Sequence, residues 1–148
     1  MIFEVIGRPA REEAVRADFE AYIESLVATG VPLVDISFGF AWGNDVYPGQ
    51  WQIEHLTPSE ARIRVREVEE KKIGRIGHDD FFISIPGSGY ERLYCHEADI
   101  HVISDHEHPA LFEARQLWQK RGWQIFEQKR EPNQSPEPMR AKGPHGSS

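Results

Sequence analysis

The chain has 148 residues, the usual size of one domain, and carries a net charge of −7 from 17 basic and 24 acidic residues. Apolar residues make up 39% of the sequence, which is enough for a hydrophobic core and argues against global disorder. No apolar run approaches the roughly 18 residues that span a bilayer, and an acidic domain repels phosphate backbones, so we expect neither a membrane nor a nucleic-acid partner. The start of the chain lacks the pattern of a signal peptide and Cys95 is the only cysteine, so we expect a cytoplasmic protein without a disulfide.

The first third of the chain predicts a strand, a helix and two further strands. Met1–Gly7 is the first strand. Apolar residues from Val15 to Leu26 recur at helical spacing, and Gly30 supplies a stop for this helix. Val34–Trp42 then alternates apolar and small or polar residues, which is typical of a strand, and a partner strand is predicted around Trp51–His55.

The middle of the chain is ambiguous between strand and helix. Within Ser59–Lys72, three apolar residues alternate with Arg62, Arg64 and Arg66, and this period of two favours a strand with one solvated face. The charged residues that follow, from Glu67 onward, allow a helix instead. We take the strand as the prediction.

The last third predicts strands closed by a second helix. Phe81–Ile85 is a strand that ends in a hairpin turn at Pro86–Gly89. Tyr90–Ile103 is a long strand or a bulged pair of strands, because its apolar phase changes near Glu97. A helix begins at Pro109 and a short strand follows from Trp123.

These elements predict an α+β fold in the order β-α-β-β-β-β-β-α-β. Two helices packed on a largely antiparallel sheet of about five or six strands is the simplest arrangement. Residues 1–129 form the single predicted domain. Residues 130–148 are rich in proline and polar residues, and we expect them to form a flexible C-terminal tail.

A cluster of histidines and carboxylates is the clearest candidate for chemistry. Four of the seven histidines fall between residues 96 and 108, and imidazole and carboxylate are ligands that transition metals select. No recognised metal-binding spacing is present, and Asp105 and His108 also suit a helix cap. The candidate ligands for a divalent transition metal are His96, Asp99, His101, His106 and His108.

A candidate partner-binding surface lies in the aromatic loop after the second predicted strand. Trp42 and Tyr47 stand among glycine, asparagine and proline residues, together with Asp45. Large aromatic side chains beside polar turns are common anchors at protein interfaces, and they are equally common in cores.

Three functions remain open from the sequence. The leading hypothesis is a protein–protein interaction module, such as a small acidic inhibitor or immunity-type protein that binds a more basic partner and needs no cofactor. The second is a metal-dependent hydrolase that uses the histidine and aspartate cluster to activate water. The third is a small-ligand binding domain with a pocket between helix and sheet.

Overall fold

The computed structural model describes residues 1–39, 42, 45–47 and 52–132, and it confirms the α+β class. All strand pairs of the sheet are antiparallel. Within the described ranges, no helix is long and apolar enough to cross a membrane.

The described elements are seven strands and three helices in one sheet-based fold. The strand order in the sheet is β3-β2-β4-β5-β6-β1-β7, so β3 and β7 are its edges. In chain order the elements are β1 (Ile2–Arg8), α1 (Glu12–Ala28), β2 (Val34–Phe38), β3 (Glu54–Leu56), α2 (Pro58–Glu70), β4 (Phe81–Ser84), β5 (Tyr90–Cys95), β6 (Asp99–Ser104), α3 (Pro109–Lys120) and β7 (Gln124–Arg130).

The core lies between the helices and one face of the sheet. Alternate strand residues such as Val5, Tyr94 and Ile100 join helix residues such as Phe19 and Trp118 in one buried cluster. Because side chains alternate along a strand, the intervening residues point to the opposite face, called the second face here. It carries several polar side chains that are buried or largely buried: Glu4, Cys95, Asp99 and His101.

The predicted strand at Ser59–Lys72 is wrong, because this segment forms helix α2. Thr57 accepts a hydrogen bond from the backbone N–H of Glu60, and the Glu60 carboxylate accepts one from the backbone N–H of Thr57. This capping box, with Pro58 at the first helical position, is a strong helix start. The residues that α2 buries are Ala61, Val65 and Val68, which follow helical spacing, whereas Ile63 is exposed.

The arginines of this segment also have a different role from the one predicted. They do not form a solvated sheet face. Arg62 and Arg66 pair with Glu24 and Glu20 of α1, so they join the two helices.

The segment from Tyr90 to Ile103 forms a pair of strands joined by a tight turn, which is one of the two predicted alternatives, rather than one long strand. Cys95 pairs with Asp99, and Ala98 adopts a left-handed φ of 60° in the turn between them. The turn explains the change of apolar phase near Glu97. It also brings the sheet above the five or six strands predicted.

Most other predicted elements agree with the structure, but the predicted strand Val34–Trp42 ends at Phe38 as β2. The helix that ends before Gly30 is α1, and Gly30 has a φ of 74°, which suits a glycine stop. The helix predicted from Pro109 is α3, and the His108 side chain accepts a hydrogen bond from the backbone N–H of Ala110 as its N-cap. β7 continues to Arg130, one residue into the predicted tail, while residues 133–148 and Trp51, at the start of the predicted partner strand, lie outside the described residues.

Candidate functional site

The structure separates the five predicted metal ligands into three places. His96 lies in the turn after β5, and Asp99 and His101 lie on β6. His106 and His108 follow the other end of β6, about 17 Å along the strand from Asp99 at roughly 3.4 Å per residue. One metal ion therefore cannot take ligands from all five residues.

Asp99 and His101 belong to a cluster on the second face of the sheet. Strand pairing places β1 beside β6, with Ile6 opposite His101, so the Glu4 side chain reaches the imidazole diagonally. His101 Nδ1 lies 2.5 Å from Glu4 Oε2, and His101 Nε2 lies 2.9 Å from Asp99 Oδ1. Arg8 donates a hydrogen bond of 2.9 Å to the second oxygen of Asp99. The imidazole is therefore held between two carboxylates.

This geometry keeps the imidazole protonated. Burial alone would lower the pKa of His101, but its hydrogen bonds to Asp99, Cys95 and Glu4 outweigh burial and raise that pKa to about 11. Burial likewise opposes ionisation of Glu4 and Asp99, yet the imidazolium and its hydrogen bonds lower the pKa of both carboxyl groups. An imidazolium that keeps its proton at neutral pH is a poor general base, because it has no lone pair to accept another.

Cys95 completes a set of possible metal ligands with these residues. One ligand atom from each of Cys95, Asp99 and His101 lies within 4.8 Å of the others, and the same holds for Asp80, Cys95 and His96. To bind a metal, a cysteine must be a thiolate and a histidine must be a neutral imidazole. Burial raises the pKa of the Cys95 thiol, and both nitrogens of His101 already donate to carboxylates. A metal at this cluster would therefore have to displace two tightly held protons.

The other candidate histidines have local partners. His96 pairs with Asp80, and this hydrogen bond raises the pKa of His96. His106 contacts Ser104 and Asp105. His108 caps α3 through one nitrogen, and its Nε2 donates to the backbone carbonyl of Ser88 at 2.8 Å.

The predicted partner-binding residues divide between core and surface. Trp42 is fully buried, and its indole N–H donates to the backbone carbonyl of Asp80. Tyr47 is buried as well, and its hydroxyl donates to Glu54. Asp45 is exposed. In this structure the two aromatic side chains are core residues, and Asp45 is the one of the three that a partner can reach.

A second buried charged cluster surrounds Asp18 on the helix side of the sheet, where no site was predicted from the sequence. Asp18 accepts hydrogen bonds of 2.8 Å from Arg92, 2.9 Å from the Tyr94 hydroxyl and 2.8 Å from Arg121. The Trp118 indole N–H also donates to it, at 3.3 Å. The sequence feature that could have indicated this cluster is Asp18 itself, an acidic residue next to Phe19 on the apolar side of helix α1.

The chain was compared with protein-family models, with curated proteins and with solved structures, and none of them matches it.

Proposed function

We propose that the protein binds a more basic protein through exposed carboxylates, as a small acidic inhibitor would. The observation that carries this proposal is how the fold distributes its charges. Every arginine between Met1 and Pro132 lies within 4.0 Å of a carboxylate oxygen of the same chain. These arginines are thus paired within the chain, and the net charge of −7 means that the remaining carboxylates outnumber the remaining basic side chains.

Three of these carboxylates lie at one end of the sheet, called the acidic end. They are Asp45, Asp80 and Glu97, where Asp45 and Glu97 are exposed and Asp80 is partly exposed. Trp42 brings Asp45 near Asp80. Its indole N–H donates to the backbone carbonyl of Asp80, and Asp45 follows Trp42 by three residues. Glu97 lies in the same turn as His96, the partner of Asp80.

An acidic surface of this kind mainly affects how fast, and with which partners, the protein associates. Like charges repel wrong partners, and a complementary positive patch accelerates the encounter with the right one. Surface charges are screened beyond about 8 Å at physiological salt, so the partner's basic residues must meet the acidic end directly. We therefore expect affinity for the partner to fall as salt concentration rises.

The test compares two double variants with the same change in charge. Asp45→Lys with Glu97→Lys reverses the acidic end, and Glu91→Lys with Glu107→Lys reverses two exposed carboxylates at the opposite end of β5 and β6. Wild type and both variants serve as bait in an extract of the organism that makes the protein. A captured protein is then purified, and its dissociation constant is measured at several salt concentrations.

The proposal predicts a basic partner that binds the wild type and the control variant alike. Its affinity for the acidic-end variant should fall at least about tenfold, with a smaller dependence on salt. Addition of the wild-type protein should also inhibit the activity of the partner. Equal binding by all three proteins, or no salt dependence in the purified pair, would contradict the proposal.

A further inference from the structure

A pocket of about 220 Å³ lies beside the Asp18 cluster, between α1 and α3. Its polar lining includes Arg92 from β5, which is buried, and Arg121 from the end of α3, which is partly exposed. Tyr22 and Tyr90 line it as well, and their hydroxyl oxygens lie 3.2 Å apart. The apolar side of the pocket is formed by Ala21, Ala110, Ala114 and Leu117.

The Arg92 guanidinium is only partly satisfied by the protein. Its Nε donates to the Tyr94 hydroxyl at 3.0 Å, and one terminal nitrogen donates to Asp18 at 2.8 Å. Among the residues that the structure describes, no acceptor is bonded to the other terminal nitrogen, although the side chain is only 8% exposed. Among the described residues, the buried side-chain nitrogens that lack a partner belong to Arg8 and Arg130, so this nitrogen of Arg92 reaches the open space of the pocket, where a ligand can supply the acceptor.

The charges of the pocket interior leave one positive charge unmatched. Arg92 and Arg121 both pair with the single carboxylate of Asp18. Glu113 also lines the pocket, but it lies exposed at the rim, where water screens its charge. The interior can therefore accept one negative charge, and Glu113 would oppose a second.

We propose that this pocket binds a small monocarboxylate with a short aliphatic chain. The planar guanidinium of Arg92 presents donors in the geometry that a carboxylate accepts. The alanines and Leu117 offer the aliphatic chain an apolar wall. A volume of about 220 Å³ lies below the roughly 300 Å³ at which sites for larger ligands begin, so the ligand is small.

Butyrate is the probe, and butyramide of the same shape without the charge is its control. Binding is followed by NMR at the Trp118 indole N–H, which donates to Asp18 and so reports on the cluster. Sodium chloride keeps the ionic strength constant across the titration. The proposal predicts a saturable shift with butyrate, with a dissociation constant on the order of 1 mM, and binding at least tenfold weaker with butyramide.

Two arginine variants of α3 separate the site from general effects of charge. Arg121→Gln removes a donor at the pocket, whereas Arg115→Gln removes a similarly exposed arginine that pairs with Glu127 elsewhere. Arg121→Gln should weaken butyrate binding about tenfold, and Arg115→Gln should leave it unchanged. Inorganic phosphate at pH 8 should bind more weakly than butyrate, because it is then mainly a dianion, which exceeds the single unmatched charge.

Equal shifts with butyrate and butyramide, or no saturation, would overturn the proposal. Equal weakening by the two arginine variants would do so as well. If Arg121→Gln fails to fold, the comparison of butyrate with butyramide on the wild-type protein still decides the question. The pocket is separate from the acidic end, so its failure would leave the proposed partner binding untouched, and the reverse also holds.

Discussion

Replacement of His101 by glutamine should destabilise the protein in a way that depends on pH. The imidazolium lies between Glu4 and Asp99, and glutamine supplies one donor group without a charge. Removing one partner from a buried charged cluster typically costs about 3–5 kcal/mol. Here we expect about 3 kcal/mol at pH 7, because Asp99 keeps Arg8 and Glu4 keeps Gln128 as partners.

The pH dependence follows from the raised pKa of His101. In the folded protein this pKa is about 11, against 6.5 for an ordinary histidine, so the stabilisation is complete below pH 6.5 and is lost as pH rises through 11. Between these values the folded state holds one more proton than the unfolded state. The free energy of unfolding should therefore fall as the pH rises, by about 3 kcal/mol from pH 7 to pH 9.

Urea unfolding followed by tryptophan fluorescence at pH 7, 8 and 9 measures both effects. The difference between wild type and His101→Gln should shrink from about 3 kcal/mol at pH 7 to below about 1 kcal/mol at pH 9. His55→Gln is the matched control, since His55 pairs with Asp35 on the same face but its side chain is 70% exposed. It should change stability by less than about 0.5 kcal/mol. If the difference in stability between wild type and His101→Gln stays constant from pH 7 to pH 9, the conclusion that His101 is protonated between Glu4 and Asp99 is refuted.

Three further predictions use other parts of the fold. Elemental mass spectrometry of the protein purified without a tag at pH 7 should find no stoichiometric metal, because His101 holds its proton. A metal that is present in the wild type and lost in the His96→Ala/His101→Ala variant would contradict this prediction. Gly7→Ala should destabilise by about 1–3 kcal/mol in urea unfolding, since its Cβ would meet Trp118 at 2.4 Å, and an unchanged midpoint would show that the indole can move. Thr57→Ala should cost about 1 kcal/mol through loss of the capping box, whereas Thr57→Ser should retain most of the stability in the same assay.

The sequence predicted best where local signals agree with each other. α1 has a continuous apolar stripe and a glycine stop, and α3 has a proline start and a basic last turn. The turn at Pro86–Gly89 joins two strands as its composition indicates. In each case the residues that specify the element are neighbours in the chain.

The prediction for α2 failed because two periods fit the same short run. Ala61, Ile63 and Val65 alternate as a strand would, but Ala61, Val65 and Val68 also share one side of a helix. The capping box at Thr57 and Glu60 was the local signal that distinguishes these alternatives. Arg62 and Arg66 looked like a solvated face because their partners on α1 are distant in sequence.

The histidine cluster shows that residues close together in the sequence can lie far apart in the structure. Residues 96–108 are consecutive, yet a turn and a strand carry their side chains to opposite ends of the sheet. The partners that determine the chemistry of His101 and Asp99 come from β1, about ninety residues earlier. No spacing rule connects Glu4 to His101, because strand order is a property of the folded sheet.

The sequence by itself determined the α+β class, the acidic charge and the positions of α1 and α3, because composition and periodicity are local properties. Only the tertiary structure decided which charges meet. It placed Glu4 against His101, Asp18 against Arg92 and Arg121, and Trp42 in the core. These contacts depend on strand order and helix packing, which arise from the burial of apolar surface contributed by the whole chain.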